Sequence, residues 1–99
     1  MKLAFVVCNQ FFIPQVMELL RASDIDYYTR WDDAKGKGRG TEPHLGTGGY
    51  ASTNVVFMIA FDNTVPLQTL IGKITELNAQ TLRTDDHVRL FQLPLERIV

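Results

Sequence analysis

Ninety-nine residues, 45% of them apolar and 21% charged, with one cysteine and a formal charge of −1, describe one domain with one core and leave no room for a second. Folding would bury roughly 60 to 65% of the surface that the unfolded chain exposes, so apolar strand surface left over after helix packing favours a homo-oligomer. The near-neutral charge argues against a nucleic-acid binder, the lone Cys8 rules out an internal disulfide and fits a reducing cytosol, and no segment suits a membrane span or a secretion signal, which together predict a cytoplasmic protein.

Leu3-Ala4-Phe5-Val6-Val7-Cys8 is a continuous apolar run, the pattern of a central strand. Pro14 suits the first turn of a helix, where a missing N–H is harmless, and Ile13, Val16, Met17 and Leu20 follow at helical spacing, predicting a helix over 14–22. Ser23-Asp24 breaks it. Ile25, Tyr27, Thr29 and Trp31 then alternate with Asp26, Tyr28, Arg30 and Asp32, the period of a strand with one wetter face.

Six of the seven glycines fall between Lys35 and Tyr50. That stretch is far longer than a hairpin needs, and long loops in small domains tend to bind something or to be disordered. Glycine permits positive φ and close backbone approach to a ligand, while Lys35, Lys37 and Arg39 place cationic donors at every second position. Three cations against Glu42 give residues 35–54 a net +2, so the remainder carries −3. The pattern predicts a flexible arm that seeks an anion or a protein groove.

Val55-Val56-Phe57-Met58-Ile59-Ala60-Phe61 reads as a second buried strand, followed by a helix capped by Thr64 or a neighbour, with Pro66 in its first turn and Leu67, Leu70, Ile71, Ile74 and Leu77 on one face. A polar connection over 78–86 leads to a last strand in which Val88 and Leu90 alternate with Arg89 and Phe91, ended by Pro94. The halves share one layout, with Pro14 and Pro66, and Phe5 and Phe57, each 52 residues apart. The fold expected is α+β, a ferredoxin-like βαββαβ domain whose four-stranded antiparallel sheet carries two helices on one face. Phe5, Phe57, Tyr27 and Trp31 make a fully wet second face unfavourable, which again points to oligomerisation.

An RNA-binding module of this topology would need basic residues flanking the aromatics of its third strand, and a soft-metal chaperone would need two thiols after the first; neither pattern is present. His44 and His87 are the only histidines, and no nucleophile motif accompanies them, so no enzyme is read. The acid pairs Asp32-Asp33 and Asp85-Asp86 read as solvated turn carboxylates.

The βαββαβ layout, the Gly36-Lys37-Gly38-Arg39 run ending the second strand, the long loop with Tyr50 near its far end and the apolar third strand resemble the PII signal-transduction proteins over nearly the whole chain. The resemblance implies a homotrimer whose T-loop, here 35–54, reaches a transporter or an enzyme, with adenine nucleotide held in clefts between subunits and no cofactor required. It places Gly36, Gly38 and Arg39 at the loop base near that cleft, Arg89 where a family lysine contacts phosphate, and Lys35, Lys37, His44 and Tyr50 as partner contacts, with Tyr50 near a tyrosine that some members modify. The family's glycine-rich phosphate loop is replaced here by Thr81-Leu82-Arg83-Thr84-Asp85-Asp86-His87-Val88-Arg89, without glycine, and two aspartates there would repel phosphate. Arg97 is a poor substitute for the family's C-terminal arginine pair. The chain thus resembles divergent PII-like members, including those associated with bicarbonate or metal-efflux transporters, with a small anion such as bicarbonate as an alternative ligand. A second resemblance, to the divalent-cation tolerance trimers, would use Cys8 with His44 or His87 as metal ligands. An acylphosphatase-like site is set aside because no arginine precedes Arg21 near Asn9.

Overall fold

The computed structural model describes residues 1–37 and 53–99. In chain order these form β1 (Lys2–Asn9), α1 (Ile13–Ala22), β2 (Thr29–Ala34), β3 (Asn54–Phe61), α2 (Thr64–Gln80) and β4 (Arg89–Pro94), with single 3-10 turns at Gln10–Phe12 and Thr84–Asp86. The strands lie in the order β2-β3-β1-β4, every neighbouring pair antiparallel. This is the expected ferredoxin-like arrangement.

Both helical halves begin in the same way. The side chain of Asn9 accepts a hydrogen bond from the Phe11 N–H at 3.1 Å, and that of Asn63 accepts from the Val65 N–H at 3.0 Å, so asparagine rather than Thr64 caps α2. One sheet face packs on the helices: Ala4, Val6 and Cys8 of β1 and Val55, Phe57, Ile59 and Phe61 of β3 meet Val16 and Leu20 of α1 and Leu67, Leu70 and Ile74 of α2. Alternation then puts Leu3, Phe5 and Val7 of β1 and Val56, Met58 and Ala60 of β3 on the open face.

Two expectations are corrected. The second strand starts at Thr29 rather than Ile25, because Tyr27 stacks edge-on against Phe61 and Tyr28 against Phe57, with ring centroids 6.0 and 5.4 Å apart. Both partners are core residues, and consecutive residues of a strand cannot point to one face, so the ladder begins only after Tyr28. The aromatic open face also differs from the expected one. Phe57 is buried beneath the helices, and the 52-residue offset pairs it with Phe5 on the other face, since the register sets Phe57 against Val6. Of the four aromatics expected there, Phe5 and Trp31, the latter paired with Val56, do lie on the open face, whereas Phe57 and Tyr27 do not; Phe91, paired with Phe5, and Leu93 add to it, and Trp31, Phe91 and Leu93 are 47, 54 and 42% exposed.

Candidate functional site

The basic glycine-rich segment leaves the sheet at the end of β2 and returns at the start of β3. Gly38, Arg39, His44 and Tyr50 lie outside the described residues, as do the other residues of 38–52; Lys35, Gly36 and Lys37 lie within them, the two lysines exposed. The β2–β3 register shifts between Trp31 and Ala34, and within that bulge Asp33 takes a φ of 59°. A non-glycine residue adopts this left-handed conformation at some cost, and aspartate is among those that tolerate it best.

Thr53, the first described residue after the segment, ties this bulge to the β1–α1 junction. Its carbonyl accepts the Gln10 N–H at 3.0 Å, and its buried hydroxyl lies 3.2 Å from Gln10 Oε1 and 3.4 Å from Asp33 Oδ1. Gly36 closes the other side, where an added Cβ would stand 2.6 Å from Asn54 Nδ2. A side chain at this position would therefore require the Asn54 amide to move aside. The loop thus springs from a polar base built by three chain segments; the sequence read Asp33 only as a solvated turn carboxylate and did not single out Gln10 or Thr53, because nothing in their spacing brings the three together.

The segment between α2 and β4 differs from the expected solvated turn. Asn78 Nδ2 donates to the Val88 carbonyl and Asn78 Oδ1 accepts the Val88 N–H, both at 2.8 Å, so one amide closes the connection as a strand partner would. Arg83 pairs with Asp85 at 2.8 Å, and the Asp85 side chain retains 15% of its exposure. The pair neutralises one of the two aspartates expected to repel phosphate. His87 is half-buried, with Nε2 3.3 Å from the Thr81 carbonyl and Nδ1 3.4 Å from Arg89 Nη1. A neutral ring that donates through Nε2 and accepts through Nδ1 satisfies both contacts. Arg89 is exposed and joins no ion pair among the described residues, which leaves its guanidinium charge available to an anion. The other expected acid pair is likewise engaged: Asp32 accepts from Arg30 at 2.6 and 2.8 Å, which holds its carboxyl below the usual range.

Gly36 and Arg89 occupy the same end of the sheet, beside Asn54 and opposite Val7 respectively. They stand at opposite edges, β2 and β4, three inter-strand steps or roughly 14 Å apart. One chain therefore does not bring them into a single site.

Cys8 faces the helices and is 2% exposed, and burial raises its thiol to a pKa of about 11, partly offset by Arg30. A protonated thiol on the closed side of the sheet is poorly placed as a ligand shared across the open face. Among the described residues no three His, Cys, Asp or Glu side chains gather as a metal site, and no helix is long and apolar enough to cross a membrane.

No family model matches the chain, and no curated protein matches it in sequence. Solved structures do match its fold. The structure of CPII from Thiomonas intermedia K12 bound to ADP and bicarbonate aligns with a TM-score of 0.66 at 13% identity, covering 97% of this chain and 88% of that one. A second structure of CPII, a nitrogen regulatory PII-like protein from the same organism bound to ADP, AMP and bicarbonate, aligns with a TM-score of 0.63 at 15% identity over 99% of this chain and 94% of that one. The chain thus has the fold of the PII-like proteins.

Proposed function

We propose that this protein is a divergent PII-like regulator rather than an enzyme, a cytoplasmic homotrimer that binds an adenine nucleotide or bicarbonate and presents the basic loop 35–54 to a protein partner such as a transporter or an enzyme. One observation carries the reading: a PII-like fold extends over nearly the whole chain, with the Lys35-Gly36-Lys37 loop departure and Arg89 at one end of the sheet. The matching CPII structures hold ADP and bicarbonate.

Association through the open face supports the reading, since Trp31, Phe91 and Leu93 leave apolar surface that a second copy would cover. Contact between copies would also supply what one chain lacks, an approach of Arg89 on one subunit to Gly36, Gly38 and Arg39 on the next. A bound anion would then bias the loop by favouring the conformations in which Arg39 and backbone N–H groups reach it, and only through its different affinity for those conformations. The partner contacts proposed are Lys35, Lys37, His44 and Tyr50.

Calorimetry with ADP, AMP, ATP and bicarbonate tests the ligand, with weakened binding expected for Arg89→Ala. Capture from lysate by the intact protein and by a variant lacking residues 38–52 tests the partner. Absence of heat with all four compounds removes the ligand reading, and identical captured material removes the loop reading.

A further inference from the structure

On the helix side of the molecule, away from the open sheet face, a groove of about 760 Å³ runs along α1. Pro14, Met17 and Leu20 form one wall, and Ile25 and Tyr28 line the other from the segment that leads into β2. Its volume falls within the range of natural ligand sites, roughly 300 to 1,000 Å³. The lining is firm, since Ile25 and Leu20 belong to the core and Tyr28 is braced by its edge-on stack against Phe57. Among the described residues the Tyr28 hydroxyl meets only the Met17 sulfur, at 3.8 Å, a weak acceptor that leaves the hydroxyl available to a stronger one.

The rim is acidic. Glu18 and Arg21 neutralise each other along α1, while Asp24 and Asp26 join no ion pair among the described residues, so the rim carries about two uncompensated negative charges. An apolar trough edged by free carboxylates complements an apolar side chain flanked by cations. From Pro14 to Asp24, α1 and its end span about 15 Å, the length of four or five residues of extended chain. The geometry points to this groove as a docking site for a short basic protein segment: one apolar anchor side chain seated among Met17, Leu20 and Tyr28, with Lys or Arg neighbours facing Asp24 and Asp26. Because the groove lies on the helix side, it stays open when the sheet face is covered by further copies, and it gives the molecule a recognition surface independent of its loop.

The test is an NMR titration of 15N-labelled protein with the peptide acetyl-Arg-Lys-Leu-Lys-Arg-amide, and with the same peptide carrying Ser for Leu. Saturable shift changes at Met17, Leu20, Ile25 and Tyr28, with the Leu peptide binding at least fivefold more tightly, are expected. The double variant Asp24→Asn, Asp26→Asn should bind about tenfold more weakly, roughly threefold per removed charge; asparagine tolerates the 59° φ of Asp24, so the fold is kept. A variant lacking residues 38–52 should bind the peptide as the intact protein does. Equal binding of both peptides, shift changes centred elsewhere, no saturable change, or unaltered binding by the double variant overturns the proposal. So does shielding of Met17 and Tyr28 from a soluble paramagnetic probe before peptide is added, which would seat a second copy in the groove.

Discussion

Replacing Phe91 by aspartate should separate the subunits while leaving each one folded. The ring is 54% exposed in the single chain, opposite Phe5 on the open face. A phenylalanine presents roughly 200 Å², so about 100 Å² remains to be covered by a neighbour, worth about 2.5 kcal/mol per subunit at ~25 cal/mol per Å². That is close to a 70-fold weaker association constant for each interface so weakened, before the cost of burying the new carboxylate is added. Sedimentation velocity between 2 and 200 μM should show the wild-type assembly and a monomeric variant, and thermal unfolding should show that the variant retains a cooperative transition. Trp31, the only tryptophan and 47% exposed on the same face, gives an internal reporter whose emission should shift to the red on dissociation. A wild type that stays monomeric at 200 μM, or a variant that assembles as the wild type does, refutes the open face as the contact between copies.

Asn78→Ala removes both hydrogen bonds to Val88, a residue 1% exposed; leaving that buried N–H and carbonyl without partners should cost about 3 kcal/mol, read as a lower urea midpoint. Gly36→Ala drives a Cβ to within 2.6 Å of the Asn54 amide, and because only the end of a side chain must yield, the expected loss is about 1 kcal/mol in the same measurement. Cys8 makes stability depend on alkaline pH. The unfolded thiol ionises near 9 and the folded one near about 11, so its contribution is complete below pH 9, where both states keep the proton. It is lost as pH rises toward 11, where the unfolded state has released a proton that the folded state still holds, at most about 3 kcal/mol in all. Cys8→Ala should flatten that slope in urea titrations at pH 8 to 11, and an unchanged slope would assign it to other groups.

Much of the architecture could be read from the chain because its signals are local. Two apolar strand runs, two proline-started helices at 3.6-residue spacing and a glycine-rich interruption each declare themselves within a dozen residues, and their order leaves few topologies. Period-two alternation even separated Val88 and Leu90 from Arg89 and Phe91 correctly. The errors came where a local pattern had two solutions. Alternation over 25–32 looked like a strand throughout, yet Tyr27 and Tyr28 both lay an edge against the helix-side core, on Phe61 and Phe57, while staying partly exposed. The repeat that matched Phe5 with Phe57 ignored that a one-residue difference in register moves a side chain to the opposite face.

The sequence alone determined the kinds of element, their order, the single core and the place where a basic glycine-rich segment interrupts it, because backbone sterics and hydrophobic spacing act over short stretches of chain. Only the tertiary structure decided that Gly36 and Arg89 stand at opposite edges of one sheet end, that Asn78 closes the connection before β4, and that Thr53 binds the loop base to the first helix. Those relations join residues distant along the chain through strand register and helix packing, which no local periodicity encodes.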